Sequence, residues 1–428
     1  MRRIAGLLAL AAAAGLVAAP LAAQLQVPRV PQVPQVPQVP QVPPVGGVLG
    51  DVTGRLDQTI STATALTERE ARRLLRLRER TLDRLLRAHP QAIERDLGGN
   101  LARRGELLAS GVAETDLRPL EGAGFRLIAR EEVEGLGISV VRLAVPAGLT
   151  LAKAQRRAAE LVPGLSLEAD ILHFAAGEPR GPAPLVLAAA AGVVAQAISA
   201  KVGMIDGGSG KAVPVAAQKG FAAGAPSASD HGSAVASLLH GHGATQLWVA
   251  DVYGTDPAGG NALAIAKALG WLTASGCRVV TISLVGPKSV LIERAVNAAQ
   301  SKGVVVVAAV GNDGPAAPPA YPASYEGVLA ITGVDRKGRA LIEAGRALHL
   351  DYAAPGAEVY AMDAKGARRA YRGTSFAAPL AAVRVAAALE QGGAWRSTLD
   401  REARDLGPKG PDRTYGRGVL CESCGKRN

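Results

Sequence analysis

The sequence predicts an α/β protein with a mostly parallel sheet and helices on both faces, preceded by a small α+β module and a helical N-terminal region. Short valine-rich runs alternate with helical patterns from Lys201 onward, which is typical of strands buried on both faces. Of the 428 residues, 48% are hydrophobic but only 3% are aromatic, so we expect a tightly packed core of Ala, Val and Leu. The predicted strands are Val202–Ile205, Leu247–Val252, Val279–Leu284, Val304–Ala309 and Leu329–Val334, and the predicted helices lie near residues 231–240, 260–275 and 288–301.

The first 23 residues have the pattern of a secretory signal peptide. Arg2 and Arg3 precede an apolar run from Ile4 to Ala19, and small residues stand before Gln24. This pattern predicts cleavage after Ala23 and export to the periplasm or the medium. An uncleaved membrane anchor is the alternative, which the proline and alanine content of the run disfavours.

Four further regions follow the signal peptide. Residues 24–50 repeat Val-Pro-Gln, which predicts a stiff polyproline II linker rising ~3.1 Å per residue. Leucines at helical spacing between Leu66 and Leu108 predict a helical region over 51–120. Residues 121–178 are predicted to form the α+β module, and residues 179–428 the main domain. The module's predicted elements are strands Phe125–Ala129, Ile138–Val145 and Leu165–Phe174 and the helix Thr150–Leu161; the uncharged residues 182–200 are predicted to form a helix on the main domain.

The net charge of +11 raises nucleic acid as a partner. An exported chain with few aromatic residues for base stacking is a poor candidate for that role, so we predict no nucleic-acid binding. Attraction to anionic envelope surfaces and a merely solvated helix face remain the two interpretations. Among the cysteines, Cys421 and Cys424 fit either a small disulfide or half of a metal site, and Cys277 is predicted to be a buried apolar residue.

Gly373–Pro379 is the segment with the strongest chemical signal. A glycine turn, a candidate Thr374 N-cap and the uncharged run that follows predict the start of a buried helix. Ser375 then lies in the first turn, where free backbone N–H groups stabilise an adjacent anion. A serine in that place can attack a carbonyl and help to hold the resulting oxyanion. Pro379 cannot donate to the carbonyl of Ser375, which leaves that carbonyl without its usual helical partner. An ordinary capped core helix is the alternative.

Three other polar residues stand at strand ends or helix starts. Asp206 follows a predicted strand, His231 begins a small-residue helix, and Asn312 follows another strand. Each is a common turn or cap residue by itself, but catalytic residues gather at the carboxyl ends of parallel strands. An α/β-hydrolase is excluded because its histidine would follow the nucleophile, whereas the last histidine here is His349.

Together these motifs resemble the subtilisin-like serine peptidases, the subtilases of peptidase family S8, over about residues 200–420. The resemblance implies a subtilisin-like fold and a propeptide-like role for the α+β module. Three motifs depart from the usual family pattern, at Gly207, at Ser233 and at residues 243–246, which affects the substrate loops more than the catalytic residues. The matching motifs are Asp206-Gly-Gly208, Asp230-His-Gly-Ser-Ala-Val235, Gly311-Asn-Asp-Gly314 and Gly373-Thr-Ser-Phe-Ala-Ala-Pro379.

The resemblance also implies roles for individual residues. Ser375 would be the nucleophile, His231 its general base, and Asp206 the carboxylate that orients His231. Asn312 would supply an oxyanion-hole donor. Residues Ser283, Leu284 and Val285 would pair with an extended polypeptide substrate. No cofactor is required, and the structural calcium of many subtilases is unsupported by any oxygen-ligand pattern here.

The predicted function is an exported serine endopeptidase that works through an acyl-enzyme. The propeptide-like module would act as an inhibitor and a folding aid, and autoproteolytic cleavage would occur between residues 170 and 200. The alternative is a subtilase-fold protein that binds peptides or partners without turnover. An esterase shares the nucleophile and is separated from a peptidase by comparing ester and peptide substrates.

Overall fold

The computed structural model describes residues 68–176, 178–179, 197–392, 394–421 and 424, and of residues 178–179 only the backbone. The signal peptide at 1–23, the Val-Pro-Gln linker at 24–50 and most of the helix expected over 182–200 lie outside the described residues. Within those residues, every helix is too short or too polar for a bilayer span.

The described elements form an N-terminal half and a larger C-terminal half. The first half contains helix α1 (68–88), β1 (Ile93–Arg95), β2 (Leu101–Ser110), α2 (Glu114–Gly122), β3 (Arg126–Val133), β4 (Ile138–Ala144), α3 (Leu151–Leu161), β5 (Ser166–Ile171), β6 (Phe174–Ala175) and β7 (Glu178–Pro179). The second half contains β8 (Val202–Asp206), β9 (Ala217–Gly220), α4 (Asp230–Gly241), β10 (Leu247–Asp251), α5 (Ala262–Ala274), β11 (Val279–Ile282), β12 (Leu284–Val285), α6 (Val290–Ser301), β13 (Val305–Ala309), β14 (Leu329–Val334), β15 (Tyr352–Pro355), β16 (Ala357–Met362), β17 (Arg368–Arg372), α7 (Thr374–Glu390) and α8 (Trp395–Glu402).

The main sheet has seven strands in the order β15-β14-β13-β11-β8-β10-β9, and all their pairings are parallel. Helices α4 and α7 cover one face, and α5 and α6 cover the other. The central strands are buried on both sides, which explains why they read as unbroken apolar runs. The prediction of a parallel sheet covered by helices on both faces is confirmed, and all five predicted strands belong to it.

The N-terminal module is a five-stranded antiparallel sheet. Its order is β1-β2-β4-β3, and β5 pairs with the other side of β2. The prediction of a helical region over 51–120 is wrong for residues 93–110, because Leu101–Ser110 is the central strand of this sheet; residues 114–120 are helical and belong to α2. The apolar residues Leu101, Leu107 and Leu108 are buried in the sheet, and three leucines at that spacing fit a helix face and a strand equally well.

Two carboxylates of β5 attach the module to the main domain. Glu168 accepts hydrogen bonds from the backbone N–H groups of Val290 and Leu291, both at 2.8 Å. Asp170 accepts from the N–H of Leu263 at 3.0 Å. Each carboxyl group therefore lies at the N-terminus of a main-domain helix, α6 and α5 respectively, and accepts N–H groups that have no partner within the helix.

The C-terminal cysteines form the predicted disulfide, Cys421–Cys424. The metal-site alternative for this pair is therefore wrong. Cys277 is free and buried, as predicted, and burial raises the pKa of its thiol to about 12, so the thiol stays protonated and unreactive at neutral pH.

Candidate active site

Asp206 ends strand β8 at the centre of the sheet. Its side chain is 1% exposed, and one carboxylate oxygen accepts hydrogen bonds from the Gly207 N–H at 2.7 Å and from His231 Nδ1 at 2.8 Å. The adjacent Asp251 is also buried, but it accepts three backbone N–H groups of the 227–254 loops. Of these two strand-end carboxylates, only Asp206 is therefore directed at a histidine.

His231 lies in the first turn of α4. Ser229 caps that helix by accepting a hydrogen bond from the Gly232 N–H at 2.9 Å. Gly232 allows a close approach between α4 and the turn after Asp206, since a Cβ at this position would lie 2.1 Å from the Gly207 carbonyl oxygen. The approach brings the imidazole between the Asp206 carboxylate and the Ser375 hydroxyl, with Nε2 at 3.0 Å from Oγ.

The departure from the family pattern at Gly207 has a local cause. A Cβ at this position would lie 2.3 Å from the Ser229 hydroxyl oxygen. The residue that caps α4 therefore occupies the space that a Thr or Ser side chain at 207 would need. The substitution leaves the bond between Asp206 and His231 intact.

Ser375 is the second residue of α7 and is fully buried. The N-cap is Gly373, with φ at 146°, which side-chain-bearing residues rarely adopt. The prediction that Thr374 caps the helix is wrong: its hydroxyl accepts from the Gly311 N–H at 3.0 Å instead. Because no side chain caps α7, the N–H of Ser375 remains available to a group in the cleft.

Pro379 acts on Ser375 in the predicted way. The carbonyl of Ser375 has no helical partner at Pro379, and the Ser283 hydroxyl donates to it at 3.0 Å. Ser283 is itself fully buried. This bond joins the start of α7 to the residue between β11 and β12.

Asn312 follows β13 and is oriented by α7. Its Oδ1 accepts a hydrogen bond from the Thr374 N–H at 2.9 Å, which turns Nδ2 toward the carbonyl oxygen of Ala176, to which it donates. The N–H of Ser375 donates to the same oxygen at 3.3 Å. Two donors thus converge on one carbonyl oxygen, which is the arrangement that stabilises a tetrahedral oxyanion.

The carbonyl at the two donors, that of Ala176, belongs to the same polypeptide chain. Strand β6 pairs antiparallel with β12, placing Phe174 opposite Val285 and Ala175 opposite Leu284, and the Ala176 N–H donates to Ser283 at 3.1 Å. The hydroxyl of Ser375 contacts the Ala176 carbonyl oxygen directly. Residues 174–176 therefore lie along the predicted substrate-binding residues as an extended peptide would. Sequence reasoning missed Ala176, because an alanine in a loop carries no chemical signal.

His173 precedes this strand and is fully buried. Neither ring nitrogen makes a hydrogen bond of normal geometry. Burial lowers the pKa of His173 to about 4, and the nearby backbone of Ile171 and Pro287 opposes this effect. Gly286 makes room for the ring, since a Cβ there would lie 2.5 Å from an imidazole carbon.

These contacts define a serine–histidine–aspartate site. The serine hydroxyl contacts one ring nitrogen of the histidine, the carboxylate binds the other, and two hydrogen-bond donors converge on a carbonyl oxygen. Residues 208–418 match the family model described as the Subtilase family. This part of the chain is a subtilase-family domain. The match begins at Gly208, two residues after Asp206.

Individual relatives agree with this assignment. Subtilisin BL of Lederbergia lenta is 33% identical over 181 residues, which cover 41% of this chain and 65% of that protein. The minor extracellular protease Epr of Bacillus subtilis is 28% identical over 205 residues, covering 44% of this chain and 32% of that protein. This chain therefore spans less than two thirds of these relatives.

A solved structure has the same fold. Fervidolysin from Fervidobacterium pennivorans, a keratinolytic enzyme related to subtilisin, superimposes with a TM-score of 0.62 at 18% identity, over 76% of this chain and 61% of that chain. At this identity the likeness concerns the fold. The sheet and helices described above are thus those of a subtilisin-like protein.

Proposed function

We propose that this protein is a serine endopeptidase that hydrolyses polypeptides through an acyl-enzyme. One observation carries the proposal: the Ala176 carbonyl oxygen accepts from the Ser375 N–H and from Asn312 while the Ser375 hydroxyl contacts it. A nucleophile, an oxyanion hole and a peptide carbonyl are thus together at one point. Every step uses side chains, backbone and water, so no cofactor is required.

The first step is attack on the peptide carbonyl. Ser375 Oγ forms a bond to the carbonyl carbon, and the hydroxyl proton passes to His231 Nε2, which lies 3.0 Å from Oγ. The carbonyl π electrons move to oxygen, where the Ser375 N–H and Asn312 stabilise the charge. The buried Asp206 carboxylate holds the Nδ1 proton of His231 and stabilises the imidazolium that forms.

The second step releases the amine. The C–N bond breaks as the tetrahedral intermediate collapses, and His231 gives its proton to the leaving nitrogen. Water then attacks the acyl-enzyme, with His231 as general base, and frees the carboxylate product and the serine. The same residues thus serve both halves of the reaction.

We further propose that the first substrate is the chain's own Ala176–Gly177 bond. This bond lies within residues 170–200, where the sequence predicts autoproteolytic cleavage. Cleavage leaves a new carboxylate on Ala176 and a new amine on Gly177. Since residues 174–176 lie along β12, the module that precedes the cut would inhibit the site by occupying it, as a propeptide does.

Export is part of the proposal. The N-terminal pattern of two arginines, an apolar run and small residues supports a secretory signal, and one relative is named as an extracellular protease. Association of the basic chain with anionic envelope surfaces is the corresponding proposal for its location.

The test compares the full chain with Ser375→Ala. We expect the parent to accumulate a product that starts at Gly177, to react with a fluorophosphonate at Ser375 and to cleave casein. Ser375→Ala should stay full-length and do none of these, with unchanged circular dichroism. A parent that never cuts itself and never reacts with the probe would favour the non-catalytic, peptide-binding alternative; probe reaction with turnover of esters but not of peptides would indicate an esterase.

A further inference from the structure

Helix α1 lies upstream of the α+β module and has one half-buried face. The residues of this face recur at helical spacing, while their neighbours on the other face, including Leu77 at 45% exposure, are exposed. A half-buried stripe on a helix outside the module's sheet must pack against something else. The apolar residues of this face are Ala71, Leu74, Leu75, Leu82, Leu85 and Leu86.

The first half of this face contacts the loop that carries the oxyanion-hole asparagine. Leu74 covers Gly314, where a Cβ would lie 2.8 Å from the leucine side chain. Arg78 Nε donates to the Asp313 carboxylate at 3.0 Å. Both partners follow Asn312 directly in the chain, so α1 rests on the rim of the site.

The second half contacts the segment that enters the cleft. Leu82, Leu85 and Leu86 pack against a buried cluster formed by the module residues Ile93 and Leu101, by Leu172, and by the main-domain residue Ala258. Phe174 packs against the same cluster. The helix therefore holds apolar surface on both sides of the boundary between the module and the main domain.

These two contacts place α1 alongside the strand in the cleft. From Leu74 to Leu86 the helix rises about 18 Å, and the five extended residues from Leu172 to Ala176 span about 13 Å between their first and last Cα atoms. One end of α1 meets the cluster around Leu172, and the other meets the loop that binds the Ala176 carbonyl. The helix and the strand thus both extend from the cluster at the module boundary to the loop that contains Asn312.

We propose that α1 is a clamp that retains residues 172–176 in the cleft after the Ala176–Gly177 bond is cut. The inference rests on the proposed function and concerns its regulation. Cleavage at Ala176 removes none of the backbone bonds that hold the strand, such as His173 N–H to Gly260 and Ala176 N–H to Ser283. The contacts of α1 add to those bonds, so activity on other polypeptides begins only when α1 leaves its site.

The first test measures amide hydrogen exchange in the full chain carrying Ser375→Ala, in which no cut is made. In Arg78→Ala and Leu82→Asp, we expect exchange of residues 172–176 to become about tenfold faster, because losing a clamp contact favours local opening. The matched controls on the exposed face, Arg80→Ala and Leu77→Asp, should exchange like the parent. Amides of β2 in the module should stay protected in all four variants.

Equal exchange of residues 172–176 in the clamp variants and their controls would overturn the proposal. If Leu82→Asp also deprotects β2, the module has opened as a whole. Arg78→Ala, which alters only partly exposed ion pairs with Asp313 and Glu79, then decides whether α1 holds the strand.

The second test uses chains that retain Ser375. It compares the time at which the Gly177 product appears with the time at which a fluorogenic peptide begins to be cleaved. Arg78→Ala should shorten the delay between the two events several-fold; an unchanged delay contradicts the clamp. If no chain cuts itself, the proposed function fails, and the exchange experiment still decides whether α1 holds the strand.

Discussion

Ser375 and Ala176 are 199 positions apart in the chain, yet the Ser375 N–H donates to the Ala176 carbonyl oxygen at 3.3 Å. The carboxylates of Glu168 and Asp170, which cap α6 and α5, hold the module where this contact forms. The chain that follows β5 then enters the cleft within six residues. The attachment of the module and the occupation of the site are thus consequences of one short segment, residues 168–176.

Removing Asn312, the proposed second oxyanion donor, should slow self-cleavage without unfolding the protein. In Asn312→Ala, we expect the rate of Gly177 product formation to fall about 10²–10³-fold, the loss typical of one such donor. The change is followed by mass spectrometry of the full chain over time. Asn297→Ala, on the exposed surface of α6, is the control, and a loss below tenfold in Asn312→Ala would show that Asn312 does not stabilise the oxyanion.

A large side chain at position 176 should also slow the cut. Ala176 is only 3% exposed, whereas Ala175 is exposed. Overpacking a buried position costs about 1–3 kcal/mol, so Ala176→Trp should cleave itself about ten- to a hundredfold more slowly. The matched variant Ala175→Trp should keep the parent rate. Equal rates for the two variants would mean that the site tolerates any residue before the cut.

Asp170 should make the docked module less stable as the pH rises. Burial raises the pKa of its carboxyl to about 7, with Arg103 offsetting part of the effect. Since this pKa is above the unfolded value, the stabilisation is fully present below pH 4 and is lost as the pH rises to about 7. In the Ser375→Ala background, Asp170→Asn should therefore gain stability relative to its parent between pH 4 and 7, on the order of 2–4 kcal/mol.

Denaturant unfolding at several pH values checks this prediction. A difference between Asp170→Asn and its parent that does not vary between pH 4 and 7 would show that Asp170 is ionised with its ordinary pKa.

His173, in contrast to Asp170, should make the docked module less stable as the pH falls. Its pKa is lowered to about 4 by burial, so the stability it contributes is present above about pH 6.5 and is lost as the pH falls toward 4. His173→Phe keeps the ring volume without the charge. In the Ser375→Ala background, we expect this variant to gain on its parent, by up to about 3 kcal/mol, as the pH falls through that range.

His89, beside the exposed Pro90 in a loop, is the control position. His89→Phe should follow the parent at every pH. If His173→Phe also follows the parent, the ring is not desolvated when the module is docked.

Much of the fold could be predicted because strong local signals coincide with tertiary roles. The prediction Leu329–Val334 has the bounds of β14, since an apolar run between turns has few alternative structures. The edge strand Ala217–Gly220 was missed because its lysine and glutamine resemble a loop. The strands of residues 93–110 were assigned to a helix, because a leucine pattern does not specify which partner buries it.

Local sequence patterns are sufficient to predict the elements of the main sheet and the order of the polar residues at their ends. Asp206, His231, Asn312 and Ser375 each follow a strand or begin a helix, and such positions are set locally by periodicity and turn residues. The identity of the peptide segment that lies against these four residues follows from long-range contacts, which are seen in the structure. The position of Ala176 depends on two capping carboxylates, a strand pairing and the packing of α1. Each of these joins residues far apart in the chain, and no local pattern encodes such a contact.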